Sequence, residues 1–192
     1  MAMGAVGFTL AASGRALAEQ RPGQASASLV ERARRALIEH RSRLRHTDKI
    51  AIADFSFPSR EPRFFIVDVG NGRTTSHLVA HGRGSDPDHT GWVSSFSNVP
   101  GSLASSAGAY VTGEIYRGTH GRSMRLTGLD PINCNAEARG IVVHAAWYVS
   151  PAIAHASGML GRSEGCFAFS DSSLVTVISE LGPGRLLYAG KA

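Results

Sequence analysis

The stretch Gly161-Arg162-Ser163-Glu164-Gly165-Cys166 concentrates the residue types that do covalent chemistry. Cys166 follows a glycine and sits at a turn, where a thiol is reachable. A thiol becomes a nucleophile as its thiolate, and near neutral pH that needs a base close in space. Upstream, Gly140-Ile141-Val142-Val143-His144-Ala145 reads as a buried strand that ends on a histidine. A histidine at a strand end facing a cysteine on a neighbouring segment supplies such a base. Cys166 and His144 are therefore read as a thiol–imidazole pair, against the alternative of a buried structural cysteine and a core histidine.

A second constellation carries metal-ligand residue types: His77-x-x-x-His81, with His120 or His144 as a further ligand. It would make the protein a zinc hydrolase. Spacing argues against it. Residues four apart share a site easily on a helix, whereas this stretch reads as a strand running into a loop. No metal and no other cofactor is expected.

The elements that must position these residues are mostly strands. Lys49–Phe55, Arg63–Val69 and Thr74–Ala80 carry strand-forming residues, and Gly70-Asn71-Gly72 reads as the tight turn between the last two. Residues 81–109 form a long connection rich in Ser, Gly and Asn; a loop of that length in a compact domain is usually functional. Tyr110–Tyr116 and Ser123–Thr127 are further strands, and 130–136 is a loop or helical turn. Gly140–Trp147 is the strand bearing His144, ended by Ser150-Pro151, and 152–162 reads as irregular chain leading to Cys166. Ser170 caps a short helix through Leu181, stopped by Gly182-Pro183-Gly184, and Arg185–Ala189 is a closing strand. Before all of these, Ser28-x-x-Glu31 fits a capping box for an amphipathic helix to about Leu44, with Leu29, Val30, Ala33, Ala36 and Leu37 on its apolar stripe.

Composition sets the outer bounds. The chain has 192 residues, 43% of them hydrophobic, enough for one domain with a core and too few for two large ones. The net charge is +5, but the arginines are scattered apart from Arg32–Arg45 and no nucleic-acid signature accompanies them, so no nucleic-acid partner is expected. With two cysteines, Cys134 and Cys166, a disulfide framework is not the organising principle, and Cys134 reads as structural. No stretch is long enough to span a membrane. Residues 1–18 are small and apolar and end in Ala16-Leu17-Ala18, an export-signal cleavage pattern without its positive start. The expected organisation is a truncated leader over 1–18, a linker and helix over 19–47, and one domain over 48–192.

Taken in order, the motifs resemble a known family. Ser163-x-Gly165-Cys166 with His144 upstream looks like the L,D-transpeptidase catalytic domain of the YkuD type, in its murein L,D-transpeptidase branch. The supporting string is His81-Gly82-x-Gly84-Ser85, Phe96-Ser97-Asn98, Tyr116-x-Gly118-x-His120-Gly121, Leu126-x-Gly128-Leu129 and Arg139-Gly140-Ile141-Val142-Val143-His144. It covers roughly residues 48 to 190, and the ordered string is far more specific than any one motif. One departure stands out. Many members carry Ser-His-Gly-Cys, and Glu164 here replaces that histidine, which is either harmless or raises the thiol pKa.

The resemblance implies a mainly β, sandwich-like catalytic domain, with the N-terminal amphipathic helix and the short late helix as additions. It implies peptidoglycan stem peptides as substrate, carbapenem-type compounds as inhibitors, and an exported enzyme of the periplasm or envelope. Cys166 would attack the stem and His144 would shuttle the proton, forming a thioester resolved by a second stem or by water. Backbone N–H groups of Gly165 and Cys166 would hold the oxyanion, and Ser163 would brace the loop or bond within the site. Arg162 is either a carboxylate clamp or a surface arginine. His81 either lines the cleft or bonds a backbone carbonyl, and Tyr148 and Asn98 are cleft candidates. A zinc-dependent peptidoglycan hydrolase, or a non-catalytic wall-binding domain of the same fold, are the alternatives.

Overall fold

In the computed structural model, residues 23–192 are described; the leader expected over 1–18 lies outside them. Helix α1 spans Ala27–Glu39, strands β1 Lys49–Asp54, β2 Phe64–Asp68, β3 Thr74–His77, β4 Gly108–Gly118, β5 Gly121–Gly128 and β6 Val142–Ala145. Helix α2 Pro151–Ser157, strand β7 Phe167–Phe169, helix α3 Asp171–Leu181 and strand β8 Leu186–Gly190 complete the order.

The eight strands form one mixed sheet in the order β3-β2-β1-β8-β4-β5-β6-β7. The pairs β1/β8 and β6/β7 are parallel and the others antiparallel. The strands do not split into two hydrogen-bonded sheets. Instead the sheet curls until its ends meet: the Ala80 N–H, just after β3, donates to the Ala168 carbonyl in β7 at 2.9 Å. Inside the curl, Phe64 of β2 meets Phe169 of β7 edge-to-face at 4.8 Å, and Tyr110 meets Phe167 at 5.6 Å. Leu174, Val177, Ile178 and Leu181 of α3 fill the same core at helical spacing. Burial of such side chains contributes about 1.5–3 kcal/mol each.

Helix α1 lies on the outer face. Leu29, Ala33 and Ala36 are its buried residues, and they pack with Ile50, Ile52, Ala109 and Leu186. Its start differs from the capping box expected at Ser28. Ser26 holds the cap position, and its N–H and Oγ–H both donate to Asp54 Oδ2, at 2.8 and 2.6 Å. A buried carboxylate at the end of β1 thus sets the helix start, a partner that local spacing does not reveal.

Two elements near Cys166 depart from expectation. Residues 152–162 begin with helix α2 rather than irregular chain. Ser150 Oγ accepts from the Ile153 N–H, and Pro151 sits in the first turn. The pair read as a strand end is a helix start, since proline there needs no hydrogen-bonded N–H. The three-residue strand β7, directly after Cys166, was too short to show a period.

Candidate active site

The parallel pairing of β6 and β7 sets Val143 opposite Phe167 and His144 opposite Ala168. Carrying that register back one residue places Cys166 level with Val142. Side chains alternate across a strand, so Cys166 and His144 share one face while Val143 and Phe167 enter the core. The register thus puts Cys166 and His144 on one face at the end of the sheet.

The Cys166 thiol donates to the Gly140 carbonyl at 3.5 Å rather than to His144. Burial pushes its pKa up; the Val142 N–H pulls it down, the Glu164 carboxylate raises it, and the Arg139 guanidinium lowers it. His144 Nδ1 lies 2.8 Å from the Ala145 carbonyl oxygen. A carbonyl only accepts, so Nδ1 carries the proton and Nε2 keeps its lone pair. Burial lowers the His144 pKa, opposed by the Ala145 carbonyl and assisted by His120. A neutral imidazole with an unprotonated Nε2 is the form a general base requires.

The loop carrying Cys166 is held from within. Ser163 is buried; its Oγ–H donates to the Cys166 carbonyl at 2.7 Å and accepts the Gly165 N–H at 3.2 Å. Ser163 therefore braces the loop. The same bond occupies the Gly165 N–H, which corrects its assignment as an oxyanion donor. Gly165 stands at φ +117°, and a Cβ there would lie 2.8 Å from the Ala104 carbonyl oxygen. Both the dihedral and the close approach demand glycine.

The remaining candidates divide. Tyr148 lies at the site: its pKa rises to about 12, from burial and from the nearby Cys166 and Glu164. Its side chain also covers Gly161, where a Cβ would meet it at 2.5 Å. Arg162 donates to the Asp86 and Pro87 carbonyls, so its guanidinium ties down a loop. Asn98 donates to the Pro131 carbonyl and to Cys134 Sγ and accepts from the Asn135 N–H, clamping two loops rather than lining the cleft. Cys134 is exposed and free. Glu164 is exposed and pairs with Arg83 at 2.8 Å.

His81 is fully buried. Its Nδ1 accepts from Arg63 Nη2 at 2.6 Å, and Nε2–H donates to Asp86 Oδ2 at 3.3 Å. Burial and the Arg63 charge push its pKa down to about 3. Both ring nitrogens are used, which removes it as a zinc ligand. His77 lines a separate cavity of about 550 Å³ with Arg60, His155 and Ser170, which includes neither Cys166 nor His144. Among the described residues no group of three or more His, Cys, Asp or Glu could hold a metal ion.

Two neighbours of the site were given no part in the thiol chemistry from sequence, His120 having been weighed only as a metal ligand. Arg139 donates to the Ser97 and Ala104 carbonyls and to the Ser102 and Ser106 hydroxyls, knitting the 97–106 loop to the segment entering β6. His120 stacks on His144 with ring centroids 4.3 Å apart. Both belonged to motifs already quoted, but only the fold shows that they converge on the pair.

The family model of the L,D-transpeptidase catalytic domain matches residues 22–189. The chain belongs to that family. No curated protein matches it. Among solved structures, an L,D-transpeptidase from Mycobacterium smegmatis is similar at 13% identity and a TM-score of 0.46, over 74% of this chain and 58% of that one. L,D-transpeptidase 3 from Mycobacterium tuberculosis, in complex with a faropenem-derived adduct, is similar at 15% identity and a TM-score of 0.47, over 75% and 60%. An L,D-transpeptidase in complex with imipenem is similar at 15% identity and 0.46, over 74% and 59%. The chain spans less than two thirds of the length of these three. Among the described residues no helix is long and apolar enough to cross a membrane.

Proposed function

We propose that this L,D-transpeptidase-family domain is a cysteine-dependent acyltransferase acting on peptidoglycan tetrapeptide stems. His144 Nε2 takes the Cys166 thiol proton as sulfur attacks the carbonyl at the L-centre of the diaminopimelate residue. The tetrahedral intermediate collapses, the C–N bond breaks, and the imidazolium protonates the departing D-alanine amine. The thioester is then attacked by the side-chain amine of a second stem, giving a cross-link, or by water, giving carboxypeptidase activity. Either attack regenerates the thiol. The observation that carries this reading is the locked tautomer: His144 Nδ1–H is fixed on the Ala145 carbonyl, and Nε2 is left on the face it shares with Cys166.

Because peptidoglycan lies outside the cytoplasmic membrane, the reading extends to export into the periplasm or envelope. A fusion of the full chain to a reporter that is active only after export tests that extension.

The catalytic test is intact mass after incubation with imipenem, on the wild type and on Cys166→Ala. One adduct per chain on the wild type alone supports the acyltransferase. No adduct on folded, reduced protein overturns it and leaves a non-catalytic wall-binding domain.

A further inference from the structure

The hairpin of β4 and β5 ends in a two-residue turn, Thr119-His120, closed by Gly118 and Gly121 facing each other. Gly121 takes φ +72°, a left-handed position that suits glycine. Just below the tip, Ser123 of β5 pairs with His144 of β6. The turn therefore overhangs the base, and His120 lands flat on its ring, at 4.3 Å between centroids and 23° between planes. His144 is only 3% exposed, while His120 is itself exposed.

The tip is pinned in that pose. The Arg125 guanidinium lies 4.4 Å from the centre of the Tyr116 ring. On its way, that ring crosses Gly118, where a Cβ would come within 2.8 Å of Tyr116 Cε2. A side chain at Gly118 would displace that ring at the strand end leading into the turn that carries His120. The spacing Tyr116-x-Gly118-x-His120-Gly121 thus has a mechanical meaning.

We propose that His120 is a positioning residue for the reaction: its ring, stacked on His144, holds the base in the plane from which Nε2 reaches the Cys166 sulfur. This rests on the assignment of His144 as the base. His144 has one fixed bond, Nδ1–H to Ala145, about which the imidazole can still tilt. A flat ring against its face removes that freedom, and the contact needs an aromatic plane rather than a charge.

The test uses His120→Ala, His120→Phe and Gly118→Ala in the full chain, with two readouts. The first is the kinetics of imipenem acylation, resolved into a maximal rate and a half-saturating concentration. His120→Ala and Gly118→Ala should lower the maximal rate by on the order of tenfold to a hundredfold, the effect of a small misplacement. The half-saturating concentration and the thermal midpoint should hold, and His120→Phe should restore the rate to within about threefold, as a plane that keeps alignment does. A wild-type rate in His120→Ala, or a His120→Phe variant as slow as the alanine, overturns the proposal. The second readout is the NMR signal of the His144 ring proton, which a stacked ring shifts upfield. That shift should vanish in His120→Ala and persist in His120→Phe; no change in the alanine variant also overturns it. Should wild-type protein resist imipenem, the acyltransferase reading fails by the first readout while the second still decides whether His120 holds the ring.

Discussion

His144 and His81 both follow a run of strand residues, both are buried, and both have lowered pKa values. Their surroundings differ in one respect that decides what each can do. His144 has one nitrogen fixed on a carbonyl and the other uncommitted, on the sheet face it shares with Cys166. His81 has both nitrogens committed, to Arg63 and to Asp86. Around it Arg63, also fully buried, bonds the Val79 and Phe57 carbonyls and lies 4.9 Å from the Phe55 ring centre. Burial drops its pKa to about 9 even with Asp86 and Asp54 nearby. One histidine therefore keeps a free nitrogen for the proposed chemistry, and the other is consumed in holding the 78–91 segment on the sheet.

The sharpest break of that comparison is a pair of substitutions. His144→Gln should lower the rate of Cys166 acylation by about 10²–10⁴-fold, the usual worth of a general base. Its thermal midpoint should move little. His81→Ala should do the reverse. It leaves Arg63 without its imidazole acceptor, and leaving a buried charged donor short of a partner costs about 3 kcal/mol or more. At about 2–4 °C per kcal/mol for a chain of this size, the midpoint should fall by roughly 10 °C. Acylation at a temperature where His81→Ala remains folded should stay near wild type. Loss of acylation in folded His81→Ala would show that the buried cluster also serves the chemistry.

Two glycines sharpen the contrast at the level of the backbone. Gly165 and Gly72 both have positive φ, +117° and +73°. A Cβ at Gly165 would press on the Ala104 carbonyl, whereas one at Gly72 meets open space. Gly165→Ala should move the loop that carries the thiol and slow acylation by on the order of a hundredfold, as ångström-scale misplacement does. Gly72→Ala should cost only the left-handed strain, about 1–2 kcal/mol, with no change in rate. Equal rates for the two variants would remove the packing argument at Gly165.

Acid acts on the fold through His81. His81 has a folded pKa of about 3, below its ordinary value. Below that ordinary value the unfolded chain binds the proton and the folded chain does not. The stability His81 contributes is therefore complete above about pH 6.5 and is lost as pH falls towards about 3. Asp86 is also lowered: burial raises it, but bonds from the Thr90 and Gly91 N–H groups and the Thr90 hydroxyl outweigh that. Its contribution fades only at still lower pH, below about 3.9. Denaturant midpoints should fall from pH 6.5 to 4 in the wild type and fall less steeply over that range in His81→Gln, where His77 and His144, also lowered by burial, still contribute. A wild-type profile that is flat there would show that His81 is not held neutral.

What the sequence revealed follows the range of the forces involved. The strands β1, β2, β4 and β5 and the capped helix α3 rest on short-range patterns, and each is where its residues suggested. The three-residue β7 escaped notice, although its parallel pairing with β6 is what sets the cysteine beside the histidine. Ser150-Pro151 carried a helix-start signal that could have been read. Ser26 as the start of α1 could not, because its partner Asp54 is 28 residues away. The same limit applies to His81, Arg162 and Asn98. Each has a residue type suited to a cleft, and each is spent on a distant loop or strand that only the folded chain brings within reach.

The smallest expected effect concerns Glu164. Its carboxylate raises the Cys166 pKa, after burial and against the Val142 N–H. It is also exposed and already paired with Arg83. Solvent screens a carboxylate in that position, and an exposed ion pair is worth at most about 1 kcal/mol. Glu164→Gln should therefore leave the thermal midpoint unchanged and lower the thiol pKa slightly, raising acylation near neutral pH by about twofold to threefold, within that same energy. The pH at which the rate reaches half its plateau should move down by the same small margin. A large acceleration would mean that the carboxylate reaches the sulfur more directly than its bond to Arg83 allows. A loss of rate would mean that the Arg83–Glu164 pair helps hold the loop that Ser163 and Gly165 shape around the thiol.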